Sequence, residues 1–163
     1  MRRTLRTHLD ICMTDASPLD ANRREWLAVL ARADRTQLES AAGPAGPLPS
    51  PEPVRAAESG MVMLRARVGG TGDAFNAGEA TVTRSAVRVG RHLGVGYVLG
   101  RDKRRAELVA LFDALLQDPA RHDALLREVV QPLARGQAQA RARRAAQVAG
   151  SRVEFFTMVR EAA

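Results

Sequence analysis

The order of hydrophobic and polar residues divides this chain into a helical start, a strand-like middle and a helical end. In the first part, apolar residues recur along one helical face from Asp20 or Asn22 onward. Asn22 and Glu25 have the spacing of a capping box, which favours a helix start there. A second, short helix is expected over residues 36–41. The apolar residues of the first helix are Trp26, Leu27, Leu30 and Ala33.

The middle of the chain, residues 54–99, changes to a period of two, which is typical of strands. Over residues 61–68 this alternation predicts a half-buried strand with one packed face. Along the next strand-like segment, the apolar residues change from even positions (Ala80, Val82) to odd positions (Val87, Val89). This change predicts a bulge or a bend near residues 84–86. A third strand is expected over residues 93–99, and the short connections predict a small antiparallel meander. The expected packed face holds Val62, Leu64, Ala66 and Val68, and the other holds Met61, Met63, Arg65 and Arg67.

After Gly100 the pattern becomes helical again. A broad apolar stripe over residues 106–116 predicts a helix that ends at residues 118–119. A further helix is expected over residues 125–133, in which Pro132 causes a kink or a restart. The alanine, arginine and glutamine residues of 134–149 predict a helix with little to bury, which packs on a partner or lies in solvent.

The last ten residues or so predict one more helix, because Ser151 and Glu154 again have capping-box spacing. We expect this terminus to be docked, since it concentrates apolar side chains. The fold class is therefore α+β, with an N-terminal helix, a small antiparallel β-meander with a glycine-rich hairpin, and C-terminal helices. The apolar residues of the terminus are Phe155, Phe156, Met158 and Val159.

The length of 163 residues and the hydrophobic content of 45% predict one domain. Residues 1–19 show no sustained periodicity and are expected to be a loose leader, with Met13 as an alternative translation start. We therefore assign residues 20–163 to a single domain. Residues 43–53 contain five prolines and are expected to be a linker that holds neither a helix nor a ladder strand.

The net charge of +7 and the pI near 11.2 suggest a nucleic-acid partner, but the composition argues against one. Lys103 is the only lysine among 25 basic residues, and aromatic residues, at 4%, are too few for stacking on bases. No run of about eighteen apolar residues is present, and the first twelve residues lack the apolar segment of a secretory signal. The single cysteine, Cys12, forms no internal disulfide. We expect a cytoplasmic protein without membrane contact.

Residues with catalytic chemistry are scattered. His8, His92 and His122 are scattered, and none has a second histidine at i, i+3 or i, i+4 spacing, so no metal site is expected in this chain. Ser59 and Ser85 have no neighbouring histidine to activate them. We therefore do not expect the isolated chain to catalyse a reaction.

Four strings of residues occur in order: RARVGGTGDAFNAGEATVTRSAVR at 65–88, LGVGY at 93–97, GRDK at 100–103 and SRVEFFTMVR at 151–160. The glycine-rich part is not a phosphate-binding loop, because another strand follows it and a Lys-Ser/Thr pair is lacking. In their order and spacing, the strings resemble the PhnG subunit of the bacterial carbon–phosphorus lyase system, from about Asn22 to Arg160. The proline-rich linker and the residues before Met13 depart from the family pattern.

The resemblance implies a subunit of an assembly with PhnH-, PhnI- and PhnJ-like subunits, two copies of each. Such an assembly transfers methylphosphonate to carbon 1 of the ribose of ATP and releases adenine, which forms alpha-D-ribose 1-methylphosphonate 5-triphosphate. It also implies MgATP as the substrate of the complex, with the iron–sulfur cluster and S-adenosylmethionine in a partner subunit. No cofactor is expected in this chain.

Positive groups must screen the repulsion between an anionic phosphonate and a triphosphate, which gives strand arginines a plausible role. Glycines in the hairpin permit close backbone approach, and the start of the helix after Gly100 favours anions. The candidate catalytic residues are Glu79 and Arg84, and the candidate substrate-binding residues are Gly70, Thr71, Gly72, Thr83, Arg84, Arg101 and Lys103.

Each of these candidates has a plainer interpretation. The arginines at 65, 67, 84 and 88 form a basic face or are simply solvated, and Glu58, Asp73 and Glu79 act on substrate or pair with neighbouring arginines. Asp102 either leaves the helix start open to an anion or complements its dipole. The alternative function is a structural scaffold that stabilises the catalytic partner without contacting substrate.

Overall fold

The computed structural model describes residues 18–43 and 48–150. Two helices come first, three antiparallel strands follow, and helices continue to residue 149, which confirms the predicted α+β class. The predicted leader as far as residue 17 and the predicted helix after Ser151 lie outside the described residues. The elements are α1 (Pro18–Leu30), α2 (Arg35–Ala42), β1 (Glu52–Arg67), a 3₁₀ turn (Val68–Gly70), β2 (Ala74–Val89), β3 (His92–Leu99), α3 (Lys103–Leu116), α4 (Pro119–Leu125), a π-helical segment (Leu126–Val130) and α5 (Gln131–Ala149).

The two N-terminal helices lie where the apolar pattern predicts them, but α1 starts earlier than expected. It begins at Pro18, whose fixed φ suits a first helical position. Asn22 is therefore inside the helix, and the capping role predicted for it is wrong. The start of α2 does have a capping interaction, because the backbone N–H of Asp34 donates to the Gln37 side chain at 2.9 Å.

The sheet is an antiparallel meander in the order β1-β2-β3, as predicted. β1 and β2 are 16 residues long, whereas β3 has eight and pairs only with residues 82–89 of β2. The outer half of the β1–β2 hairpin therefore extends beyond the third strand. We call this two-stranded extension, residues 61–81, the arm.

The arm is not half-buried, and the packed face predicted for its first strand is wrong. Leu64 and Val68, expected in the core, are 47% and 64% exposed, and Met61 on the other face is 66% exposed. Phe75 on the second strand is also exposed. Alternation identifies two faces of a strand, but a face is buried only where another element covers it.

The pairing of β2 with β3 is regular through residues 84–86, so the bulge predicted in β2 is wrong. The irregularity near this point belongs to β1, where the register shifts between Arg55 and Glu58, opposite Ala86 and Arg84. The parity of apolar residues changes along β2 because the strand buries side chains on both faces.

β1 begins within the segment that we expected to exclude strands. Glu52 and Pro53 belong to the strand, and Pro53 lies opposite Val87. β1 is an edge strand, which tolerates proline because its outer side needs no ladder hydrogen bond. The prediction of a linker through residue 53 is therefore wrong for its last two residues.

α3 packs directly on β3 because small residues face each other. A methyl group added to Gly94 would lie 1.9 Å from the carbonyl oxygen of Ala110, and one added to Gly96 would lie 1.9 Å from that of Ala106. The alanines of α3 recur every four residues and lie on one helical face. The rest of the core is apolar and includes Phe112, Leu116, Leu30, Leu38 and Val98.

Asp113 of α3 is fully buried and joins three elements. Its carboxylate accepts hydrogen bonds from Arg23 at 2.6 and 3.1 Å and from the Trp26 indole at 2.9 Å, both on α1. It also accepts one from the Val95 backbone N–H of β3 at 2.8 Å. The buried charge is thus paired and hydrogen-bonded, as burial requires.

Pro132 interrupts the C-terminal helices, as predicted. Proline lacks an N–H, and its ring clashes with the carbonyl four residues earlier. A π-helical segment precedes it, in which the Gln131 N–H donates to the Leu126 carbonyl, and α5 then restarts. No residue of α5 is buried. Among the described residues, no helix is long and apolar enough to cross a membrane.

Candidate functional site

The sheet face that points away from α3, which we call the outer face, holds a row of three polar side chains. Because side chains alternate along a strand and Gly96 faces α3, Tyr97 lies on the outer face. The register places Arg84 between Tyr97 of β3 and Glu58 of β1. All three side chains are about half exposed. The row therefore presents a carboxylate, a guanidinium and a phenol to solvent.

A cleft of about 220 Å³ opens beside this row. Met61, Val62 and Val82 contribute apolar lining, and the polar row supplies the rest of the chemistry. The cleft therefore combines apolar contact with convergent polar groups, as ligand sites do.

A larger cavity of about 580 Å³ lies between α1 and the α3–α4 junction, and none of the predicted site residues lines it. Three of its polar side chains are engaged in the fold. Arg23 and Trp26 bind Asp113, and the Nδ1 of His122 is hydrogen-bonded to the Leu116 carbonyl at 2.7 Å. We therefore take the outer-face cleft as the candidate site.

Two arginines bind one oxygen of Glu58. Arg84 Nε donates to Oε1 at 2.8 Å, and Arg55 Nη1 donates to it at 2.9 Å. The hydrogen bond and the charge of Arg84 hold the pKa of Glu58 below its ordinary value, and Arg55 adds to this effect. An ionised carboxylate with a lowered pKa is a poor general base at neutral pH. The cluster, with one positive charge in excess, suits electrostatic contact with an anion.

The Thr83 side chain is fully buried and serves the sheet. Its hydroxyl donates to the Gly100 carbonyl at 2.7 Å and, having one proton, accepts from the Ser59 hydroxyl at 2.9 Å. These two bonds join β2 to β1 and to the end of β3. Thr83 and Ser85 share one sheet face, and Ser85 pairs with Gly96, which faces α3, so the Thr83 side chain lies on the face opposite to Arg84.

Gly70, Thr71 and Gly72 form the tip of the arm. Gly70 has a φ of 85°, which other residues rarely adopt. The turn is closed by hydrogen bonds from the Gly72 N–H to the Val68 carbonyl at 2.8 Å and from Arg67 to the Gly72 carbonyl at 3.1 Å. Ten strand residues separate the tip from Arg84, so the distance between them is about 30 Å. One small ligand cannot contact both.

Arg101 and Lys103 flank the start of α3, and both are exposed. Asp102 between them caps the helix by accepting the Arg105 N–H at 3.0 Å, so its carboxylate already complements the helix start. Glu79 lies on the arm opposite Met63, five residues along β2 from Arg84. The structure thus brings neither Glu79 nor the tip to the cleft.

The four strand arginines do not form one basic face. Arg84 and Arg88 lie in the three-stranded part of the sheet, residues 52–60 and 82–99, which we call the root. There each arginine faces an acidic residue of β1. Arg88 is 3.9 Å from Glu52. Arg65 and Arg67 lie on the arm, opposite Asn76 and Ala74. Positive charge is therefore divided between the root and the arm.

The sequence of this chain matches a known protein family along most of its length. A family model described as "Phosphonate metabolism protein PhnG" matches residues 21–161. The chain belongs to the PhnG family. A protein of Rhizobium meliloti (strain 1021), described as alpha-D-ribose 1-methylphosphonate 5-triphosphate synthase subunit PhnG, is 44% identical over 153 residues, which are 93% of this chain and 97% of the relative. The PhnG resemblance found in the sequence strings is confirmed.

Two residues at this site of the PhnG-family chain were not predicted from the sequence: Tyr97, which lines the cleft, and Arg55, which binds Glu58 beside it. Tyr97 lies within one of the family-like strings but was not recognised as a site residue, and Arg55 was assigned to no role. Gly94 and Gly96 carry the missed signal for Tyr97, because two glycines of one parity mark a strand face pressed against another backbone. Within the described residues, no group of three or more metal-ligating side chains is found.

Proposed function

We propose that this chain is a subunit of an alpha-D-ribose 1-methylphosphonate 5-triphosphate synthase. In organic phosphonate catabolism, this synthase transfers methylphosphonate to carbon 1 of the ribose of ATP and releases adenine. The observation that carries the proposal is the 44% identity, over nearly the full length of both chains, to a relative described as a subunit of that synthase.

The partners in this proposal are PhnH-, PhnI- and PhnJ-like subunits, with two copies of each chain in the assembly. MgATP is the substrate of the assembly. The iron–sulfur cluster and S-adenosylmethionine belong to a partner subunit, because the one cysteine of this chain is too few to ligate a cluster.

We further propose that the outer-face cleft contributes to substrate contact. In the coupling reaction, a phosphonate oxygen bonds to carbon 1, the bond from that carbon to adenine breaks, and its electron pair leaves with adenine. Arg84 lies where it can reduce repulsion between the anionic groups, while ionised Glu58 orients it and can accept a sugar hydroxyl. Arg101 and Lys103, near the same end of the sheet, remain proposed substrate contacts.

The arm supports a second candidate function, that of a scaffold. Its exposed methionines and Phe75 lack a covering element among the described residues, and a two-stranded ribbon is only marginally stable alone. A partner subunit that packs on the arm would supply the missing cover. In this alternative, Glu58 and Arg84 only fix the sheet register, and the proposed contacts at the tip, Gly70 to Gly72, belong to the interface.

Replacement of Arg84 by alanine in the purified assembly separates the two functions. If Arg84 contacts substrate, adenine release falls at least about tenfold, or about 1.4 kcal/mol of transition-state stabilisation, with unchanged subunit stoichiometry. Arg88→Ala is the matched control, because Arg88 lies on the same strand and face and also faces a β1 carboxylate. Unchanged adenine release, or loss of assembly, would favour the scaffold.

A further inference from the structure

α5 is a basic helix without acidic residues. Residues 131–150 include four arginines and no aspartate or glutamate, so this segment carries four of the seven net positive charges. All four side chains are exposed, and none forms an ion pair within the described part of the chain. These residues are Arg135, Arg141, Arg143 and Arg144.

Alanines form a second pattern on the same helix. They are spaced by four, four, three and four residues, which places them along one helical face. The alanines of α3 have a spacing of four and lie against β3 with no side chain between the two backbones. A helix face made only of methyl groups thus permits close approach to a partner. The alanine face consists of Ala134, Ala138, Ala142, Ala145 and Ala149.

The start of α5 contacts the body of the protein. Gln137 donates to the Val29 carbonyl at 2.9 Å, and Leu133 packs against the core. From residue 138 to the end of the helix every side chain is exposed. This part is about 18 Å long at 1.5 Å per residue. None of its side chains is buried, although tertiary packing is what usually stabilises a helix.

The arginines flank the alanine face on both sides. With 3.6 residues per turn, Arg141 and Arg144 lie on one side of it, and Arg135 and Arg143 lie on the other. Charge on both flanks of a smooth face complements a groove with two acidic walls. Guanidinium groups bind carboxylates through paired hydrogen bonds, which suits such walls.

We propose that α5 inserts its alanine face into an acidic groove on another protein subunit of the assembly. This inference rests on the proposed function, since the partner is taken from that assembly. A protein groove fits better than a membrane, because the alanine face lacks the large apolar side chains of membrane-surface helices. It also fits better than a nucleic acid, because the flanking charges point in two directions and no aromatic residue lies on α5.

The test measures how tightly the full-length chain binds the remaining subunits, purified together, by titration calorimetry. Reversing charge on one flank, in the double variant Arg141→Glu/Arg144→Glu, is expected to weaken binding at least tenfold. The matched control is Arg24→Glu/Arg127→Glu, which reverses two exposed arginines elsewhere on the helices and is expected to change binding less than threefold. Circular dichroism verifies that all variants remain helical.

A second pair of variants tests the alanine face without changing charge. Ala142→Leu lies on that face and is expected to weaken binding at least tenfold, because leucine prevents close approach while retaining helix propensity. Ala140→Leu lies on another side of α5 and is expected to leave the affinity unchanged.

Unchanged affinity in both the double variant and Ala142→Leu would overturn the inference while leaving the proposed function intact. The inference is also overturned if the double variant loses binding to duplex DNA or to anionic vesicles but still binds the subunits normally. If the wild-type chain itself fails to bind the other subunits, the proposed function fails and the inference with it.

Discussion

Gly96 lies directly against Ala106: a methyl group on Gly96 would stand 1.9 Å from the Ala106 carbonyl oxygen. A carbon and an oxygen that are not bonded cannot approach so closely, and the obstacle is a helix backbone rather than a flexible side chain. Any larger residue at position 96 must therefore push α3 away from β3. The separation of helix and sheet depends on this glycine.

The first prediction concerns stability. Gly96→Ala is expected to lower the free energy of unfolding by about 3 kcal/mol, at the upper end of the usual cost of overpacking, because the displaced helix carries much of the core. Urea denaturation followed by circular dichroism measures the change. Gly136→Ala is the control, since nothing lies within 4 Å of its added methyl group. It is expected to raise stability by up to about 1 kcal/mol. Equal effects of the two variants would contradict this account.

The second prediction concerns Asp113, whose buried carboxylate forms an ion pair with the Arg23 guanidinium. Asp113→Asn is expected to lower the free energy of unfolding by about 2–4 kcal/mol, because the amide cannot accept all the hydrogen bonds that the carboxylate accepts. Thermal and urea denaturation both report the loss. The control, Asp123→Asn, changes an exposed residue of α4 and is expected to stay within about 0.5 kcal/mol of wild type. Wild-type stability of Asp113→Asn would refute the role of this network.

The third prediction concerns pH. The pKa of Glu58 is lowered chiefly by the hydrogen bond from Arg84, so Arg84→Ala is expected to raise it toward its ordinary value of 4.5. An NMR titration of the Glu58 carboxyl measures this shift. The control variant Arg88→Ala is expected to leave the pKa of Glu58 unchanged. If Glu58 had the same pKa in wild type and in Arg84→Ala, the pairing of Glu58 with Arg84 would not exist in solution.

The sign of the associated stability change follows from linkage. Because the folded-state pKa is the lower one, the pairing stabilises the fold above the pKa of the unfolded chain. This contribution is lost as the pH falls through the folded-state pKa. The effect on stability is expected to be small and to diminish with added salt, since both side chains are half exposed.

The fourth prediction concerns the arm. Amide hydrogen exchange of the isolated chain is expected to be faster at Val62 and Ala80, which pair in the two-stranded arm, than at Thr83 and Val98 in the three-stranded root. Binding of the partner subunits should slow exchange in the arm. Equal protection of the arm and the root in the isolated chain would show that the arm is stable without a partner.

Much of the fold follows from local sequence patterns. The apolar stripes predict α1 and α3, the period of two predicts the meander, and Pro132 predicts the restart at α5. These features depend on the conformational preferences of nearby residues. The exposure of the arm cannot be predicted from nearby residues, because burial of Leu64 depends on whether a distant element covers it. β3 ends at Leu99 and α3 lies behind the root, so no element within residues 18–43 and 48–150 covers the outer half of the hairpin.

The candidate site depends on strand register, which the apolar pattern does not specify here. Register shifts in β1, one on each side of Arg55, place Glu58 opposite Arg84. A shift of one residue would have moved Glu58 to the other face of the sheet. Because the residues near the shifts are polar, small or, like Val54, about half exposed, no loss of apolar burial marks the shifts in the sequence. Arg84 was a candidate on chemical grounds, but its partner could not be predicted.

The side-chain contacts around Asp113 also affect self-association. The free edge of β3 is partly closed, because Gln117 and Arg23 donate to the Leu93 carbonyl at 2.8 and 3.0 Å and Asp113 accepts the Val95 N–H. An edge strand with open backbone groups is a template for aggregation. A second copy cannot add a continuous strand along this half of the edge without first breaking three side-chain contacts. Growth of the sheet by strand addition is therefore hindered along this half of the β3 edge.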